Sequence, residues 1–337
     1  AASIYLMWRF LHEEREAVES RIDFLGAALL TTAISAFMVA LLQIGEGASW
    51  LEPATGGLTL LAIVLLAAFI TQERRFANPM IPLSIFNHRV IAVVTGAGSL
   101  IGGVMFGVSS FVPLYVQGVL DGSPIDAGLT VAPFSIGWSV ASIVAGQIII
   151  QAGYRVSVIG GVISAVIGCG WLLALSQESG RLPALVGTGF VGIGMGLSAT
   201  AMLISVQNSV GWSQRGVATA MVQFSRTIGG AIGVAALGTL LTSRMSGRLT
   251  GLSDDLRDAN ALLDQDVRDD LALSTIDQLR DALAFGLHQV YLGMFVLSLI
   301  AAAVIIIAFP RGTVEELQGA EGGMGGNRPA TVTEGSD

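Results

Sequence analysis

Of the 337 residues in this chain, 53% are hydrophobic and only 12% charged, and the mean hydropathy is +0.71. A water-soluble domain carries about 25% charged residues, so this composition excludes a water-facing surface over most of the chain. The net charge is −8, and every basic residue is Arg. No basic patch suits nucleic acid, and the single cysteine, Cys169, excludes an intrachain disulfide.

Residues 1–11 are apolar and lack the basic start and small-residue cleavage site of a signal peptide. They are expected to be the end of a truncated transmembrane helix. Stretches free of Asp, Glu, Arg and Lys then recur, and about 20 apolar residues suffice to cross roughly 30 Å of hydrocarbon. Two stretches, Asp23 to Glu46 and Glu52 to Glu73, fall in residues 12–89, with a loop before them and a linker after. Six more fall in residues 90–309 and its edges. They run from Arg89 to Asp121, Asp126 to Arg155, Arg155 to Glu178, Arg181 to Arg215, Arg215 to Arg244 (interrupted only by Arg226) and His288 to Arg311. The prediction is an all-α membrane protein of about eight transmembrane helices, six of them forming a C-terminal bundle behind two central linker helices.

Punctuation agrees. Pro53 and Pro183 fall in expected first helical turns, where a missing N–H is harmless; Pro124 precedes another start and Pro310 stops the last helix. Gly98/Gly102, Gly103/Gly107, Gly192/Gly196 and Gly229/Gly233 have the four-residue spacing that lets helices approach closely in lipid. Arginines of the short loops put Arg15, Arg21, Arg74, Arg75, Arg89, Arg155, Arg215, Arg311 and Arg328 on one side and Arg181 on the other. The rule that positive loops stay inside makes the first side, with the C-terminus, cytoplasmic.

Residues 245–287 are read as an extracellular amphipathic loop. Leu252, Leu256, Leu263, Val267 and Leu271 recur at helical spacing between acids, nine of which lie from Asp254 to Asp281. Ser253 and Ser274 mark two helix starts, so the loop reads as a short helical hairpin. Residues 310–337 form a cytoplasmic tail, Gly-rich and polar, expected to be disordered.

Gly187-Thr-Gly189-Phe-Val-Gly192 matches the dinucleotide fingerprint in letters only. It lies inside an apolar span, without a preceding strand or a following ribose-binding acid, so no nucleotide site is assigned. No nucleophile–base set or carboxylate pair lies within the spans, which argues against an enzyme. His12, His88 and His288 stand alone, without metal-ligand spacing.

Arg226 is the informative charge. It follows Arg215 by 11 residues, roughly 16 Å along a helix, and a charge at that depth costs at least about 2.5–3.5 kcal/mol. It is expected to face the bundle interior or a wet cavity, where it binds substrate or couples to protonation; the alternative is a structural arginine that bonds helix ends and carbonyls, or one lying nearer the cytoplasmic surface. Gln223, one turn earlier, joins it as a cavity candidate. Phe106, Ser110, Pro113 and Gln117 share one helix face, and Phe134, Trp138 and Ser142 share another. Such stripes line a cavity for lipophilic compounds, cationic ones included, or simply pack a core. Pro113 is a candidate bending point. Gln207 and Asn208 are expected to bind backbone groups between helices.

The run Gln207-Asn208-Ser209-Val210, Arg215-Gly216-Val217-Ala218-Thr219-Ala220 and Phe224-Ser225-Arg226-Thr227-Ile228-Gly229-Gly230-Ala231-Ile232-Gly233 resembles the major facilitator superfamily. Within it, the sequence is most similar to the fourteen-helix drug:proton antiporters of EmrB/QacA type. Ser123-Pro124-x-x-Ala127-Gly128-Leu129 and Trp8-Arg9-Phe10-Leu11 share that resemblance. It implies the end of helix six through helix fourteen of a proton-coupled multidrug efflux transporter in the cell membrane. The proton is then the coupling ion, no other cofactor is expected, and an N-terminal six-helix half carrying the proton-binding carboxylate is the missing partner. The alternative is a non-transporting half or scaffold that needs a separate N-terminal half. Gly146-Gln147-Ile148-Ile149-Ile150-Gln151-Ala152-Gly153-Tyr154-Arg155 resembles the cytoplasmic signature loop of the superfamily. Gly146, Gly153 and Arg155 are retained, whereas Ile150 and Gln151 stand where that pattern has an acid and a base.

Overall fold

The computed structural model describes residues 23–45, 48–49, 51–76, 86–249 and 273–310. Among them are eight α-helices: α1 (Phe24–Gly45), α2 (Pro53–Arg75), α3 (Arg89–Leu114), α4 (Pro124–Ala152), α5 (Tyr154–Leu173), α6 (Leu182–Gln207), α7 (Arg215–Ser246) and α8 (Leu273–Ala308). No strand occurs among the described residues. From α2 onward, seven helices are long and apolar enough to cross a membrane, while the apolar stretch of α1 is the shorter Phe24–Ala40. The expected all-α membrane fold is therefore observed. Residues 1–22, the 252–271 part of the expected hairpin and the 311–337 tail lie outside the described residues.

Local chemistry explains the boundaries. Pro53, Pro124 and Pro183 occupy first-turn positions of α2, α4 and α6, where no N–H partner is lost. Ser123 caps α4: its Oγ accepts from the Asp126 N–H, while the Asp126 carboxylate accepts from the Ser123 N–H at 2.9 Å. Gly153 joins α4 to α5 as a one-residue hinge with φ +84°, a conformation that side chains with a Cβ adopt rarely. Beyond Leu114, α3 widens into a π turn over Tyr115–Val119, two residues after Pro113 withdraws a donor from the ladder.

The sequence placed 245–287 in a loop before a last span starting near His288. The structure instead begins α8 at Leu273 and runs it unbroken for 36 residues. A buried stripe explains this: Leu279, Leu283, Leu287, Val290, Tyr291 and Met294 recur every three or four residues on one face. Tyr291 anchors that face, donating its hydroxyl to the Phe111 carbonyl at 3.2 Å.

The bundle is assembled by close pairs. α3 packs on α7, α4 on α6, and α5 on α6, with α8 against α3, α5 and α7. Glycine makes these contacts backbone-deep. A Cβ on Gly233 would lie 2.6 Å from the Gly103 Cα, and one on Gly229 would overlap Ser99. On the other pair, Gly196 meets the Trp138 carbonyl and Gly192 meets Phe134. Gly187 belongs to the α5–α6 contact, facing Leu172 and the Gly168 carbonyl. Two of the fingerprint glycines are thus helix-packing residues. Hydroxyls add cross-links: Thr188 donates to Thr130 O at 2.9 Å and Ser157 to Leu197 O at 3.1 Å. Outside the bundle, α1 packs on α2 and touches α7.

Candidate functional site

α7 sets the depth scale. Arg215 and Arg244 are 29 residues apart on this helix, about 44 Å at 1.5 Å per residue. That matches the ~40–45 Å of a bilayer including headgroups. Arg215 lies over the Trp212 ring at 5.1 Å, an interfacial pairing at one end. Arg226 sits three turns inward from it.

Arg226 is only part-exposed. Its guanidinium donates to Gln223 Oε1 at 2.6 Å and stands 5.6 Å over the Trp138 ring of α4. Trp138 in turn meets Phe134 edge-to-face at 5.6 Å. Three of the residues singled out from sequence, Arg226, Gln223 and Trp138, therefore converge from α7 and α4. A guanidinium has five donors; one bond to Gln223 and one aromatic face leave others for a further acceptor. Its hydrogen bond runs to a side chain of its own helix, one turn earlier, rather than to a helix end or a backbone carbonyl.

The other stripe behaves differently. Phe106 lies in the α3–α7 seam, where its ring covers Gly230, so it packs the core. Ser110 is exposed. Gln117 folds back onto its own helix, its Nε2 donating to Pro113 O at 3.4 Å, and does not join Arg226. Ser142 likewise bonds its own helix, at Trp138 O. Periodicity placed these residues on common faces but did not reveal what those faces meet.

At the end of the bundle with Arg89, Arg155 and Arg215, the signature-like loop does a different task from a charge pair. Arg155 donates to Ile306 O at 2.9 Å and Arg89 to Ala308 O at 3.0 Å. Both satisfy terminal carbonyls of α8 and oppose its negative dipole end. A Cβ on Gly146 would meet nothing within 4 Å, so that glycine is not demanded by packing. Gln207 and Asn208 bind side chains rather than the expected backbone groups: Gln207 reaches Thr219 Oγ1 at 3.0 Å and Asn208 the Tyr154 hydroxyl at 2.6 Å.

Sequence reasoning missed the opposite end. There Arg181 pairs with Asp126, Arg280 with Asp121 at 3.4 Å, and Gln177 donates to Asp281 at 2.6 Å. No sequence spacing links these residues; they meet because the α3–α4 and α5–α6 connections and the first turns of α8 converge on one end. Among the described residues, no group of three His, Cys, Asp or Glu could hold a metal.

Seven apolar helices of crossing length, packed by glycine and by buried hydroxyls, define a multi-pass membrane protein. The chain belongs to the Major Facilitator Superfamily, whose sequence pattern matches residues 20–234. It is 27% identical over 248 residues to the multidrug transporter protein MdtP of Bacillus subtilis, covering 74% of this chain and 46% of that one. It is 25% identical over 327 residues to multidrug resistance protein 3 of the same organism, covering 94% and 64%. A tetracycline resistance determinant of Streptomyces rimosus is 33% identical over 259 residues, covering 74% and 72%. The chain thus spans 46% to 64% of the length of the two Bacillus proteins.

Proposed function

We propose that this chain is the C-terminal portion of a proton-coupled drug efflux transporter of the fourteen-helix EmrB/QacA type. α1 and α2 form the central pair, and α3 to α8 form one half of an alternating-access pair. The names of the relatives, two multidrug proteins and one tetracycline determinant, support small lipophilic drugs as substrates. The single observation that carries the site is the convergence of Arg226 and Gln223 on Trp138. A partly buried cation beside an aromatic face supplies both a donor set and a stacking surface for a flat, lipophilic molecule.

In this reading the Arg89, Arg155 and Arg215 end faces the cytoplasm, together with the C-terminus. Proton coupling comes from a partner half, because coupling requires a titrating carboxylate at mid-depth and α3 to α8 hold none there. The two halves rock about the site between them.

The test joins this chain to its N-terminal half and follows dye efflux from drug-sensitive cells with the proton gradient intact or collapsed. Efflux should need both halves and the gradient. Arg226→Ala should reduce efflux at unchanged membrane abundance; full transport by that variant would remove Arg226 from the site. Proton-driven accumulation by proteoliposomes of this chain alone would overturn the half-transporter reading.

A further inference from the structure

Away from Arg226, α3, α7 and α8 enclose a groove of about 640 Å³. Its walls are almost wholly apolar: Ile232 and Ala236 of α7 face Leu292 and Val296 of α8, and all four are exposed. Exposed apolar side chains on crossing helices suit hydrocarbon, the surroundings in which this groove would open sideways from the bundle. Arg244 is the one charged residue of this lining, whose other polar side chains are Gln289 and Ser99. Arg244 pairs with no carboxylate among the described residues.

The dimensions decide what fits. On α7 the lining runs from Gly229 to Arg244, 15 residues or about 22 Å. One leaflet contributes about 15 Å of hydrocarbon, half of the ~30 Å total. Arg244 lies at headgroup level, about 44 Å from Arg215. The groove is therefore long enough for an acyl chain, with a cation where that chain's phosphate would sit.

We propose that the α3–α7–α8 groove binds one anionic phospholipid from the adjacent leaflet, its phosphate on Arg244 and an acyl chain between Ile232, Ala236, Leu292 and Val296. A zwitterionic lipid fills the same groove but gains less from the guanidinium. Gly229, Gly233 and Gly293 belong to the lining, but their part is helix packing: Gly233 and Gly293 abut Gly103 and Leu237. The site is independent of the drug cavity, because Arg226 projects to Trp138 instead.

Native mass spectrometry tests it, with the full chain purified in mild detergent and titrated with phosphatidylglycerol or phosphatidylcholine. The wild type should retain one phosphatidylglycerol in preference to phosphatidylcholine. Arg244→Gln should weaken phosphatidylglycerol retention about fivefold, the factor one arginine contributes beside an anionic headgroup, and leave phosphatidylcholine unchanged. Ala236→Phe, which fills the groove from an exposed position, should reduce retention of both. Equal phosphatidylglycerol retention by wild type and Arg244→Gln overturns the proposal. So does undiminished retention by Ala236→Phe, or a dimer that excludes lipid from this face.

Discussion

Replacing Gly233 by Ala inserts one methyl group where two backbones touch. That methyl would lie 2.6 Å from the Gly103 Cα, whereas carbon atoms rest at about 3.5–4.0 Å. A backbone cannot rotate away as a side chain does, so α3 and α7 must separate by about 1 Å. Overpacking of this kind costs typically about 1–3 kcal/mol, and helix propensity returns less than about 1 kcal/mol for Gly→Ala. Gly238→Ala on the same helix is the control, because its Cβ would meet nothing within 4 Å. Thermal unfolding in detergent, read by loss of the monodisperse elution peak, should place Gly233→Ala several degrees below wild type. With about 1–2 kcal/mol left after that return, about 2–4 °C per kcal/mol makes the drop about 2–8 °C, while Gly238→Ala stays level or rises. Equal midpoints for the two variants would refute the backbone-contact account of this seam.

Thr188→Val removes a buried hydroxyl that bridges α6 to Thr130 O of α4; it should cost about 0.6 kcal/mol, a typical interhelical bond in a membrane protein, measurable as a small fall in the same midpoint. Arg155→Ala should speed hydrogen exchange in the last turn of α8 without shifting exchange near Tyr291, since only the terminal carbonyl contact with Ile306 is lost. Trp138→Leu in the joined transporter should impair efflux of aromatic dyes more than of aliphatic cations, read as a change in relative efflux rates; equal impairment would deny the ring a stacking role.

The periodic features are legible in the sequence. Runs between charges marked the helices, and Pro53, Pro124 and Pro183 marked their starts, because those signals are local. The glycine pairs were visible as spacing, yet nothing in the sequence said that Gly233 would meet Gly103 while Gly146 would meet open space. The start of α8 was misplaced because charge was used to delimit spans. Asp277 and Asp281 interrupt the hydropathy but sit on the exposed side of a helix whose Leu279, Leu283 and Leu287 are buried. For Arg226, depth was legible from its distance to Arg215. Its partner Trp138 was not, since 88 residues separate them and only the fold brings α4 and α7 to one site. Gln117 went astray for a related reason: the π turn after Pro113 changed the face it shares.

α8 is gripped near both extremities. Asp281 and Arg280 hold one end to connections from α3 and α5, while Arg89 and Arg155 hold the carbonyls of Ala308 and Ile306 at the other. About 38 Å of uninterrupted helix separates Asp281 from Ile306. α8 is therefore a tie rod: displacement of a connection on one membrane surface is carried lengthwise to the loops on the other, and the two surfaces of this bundle move in step.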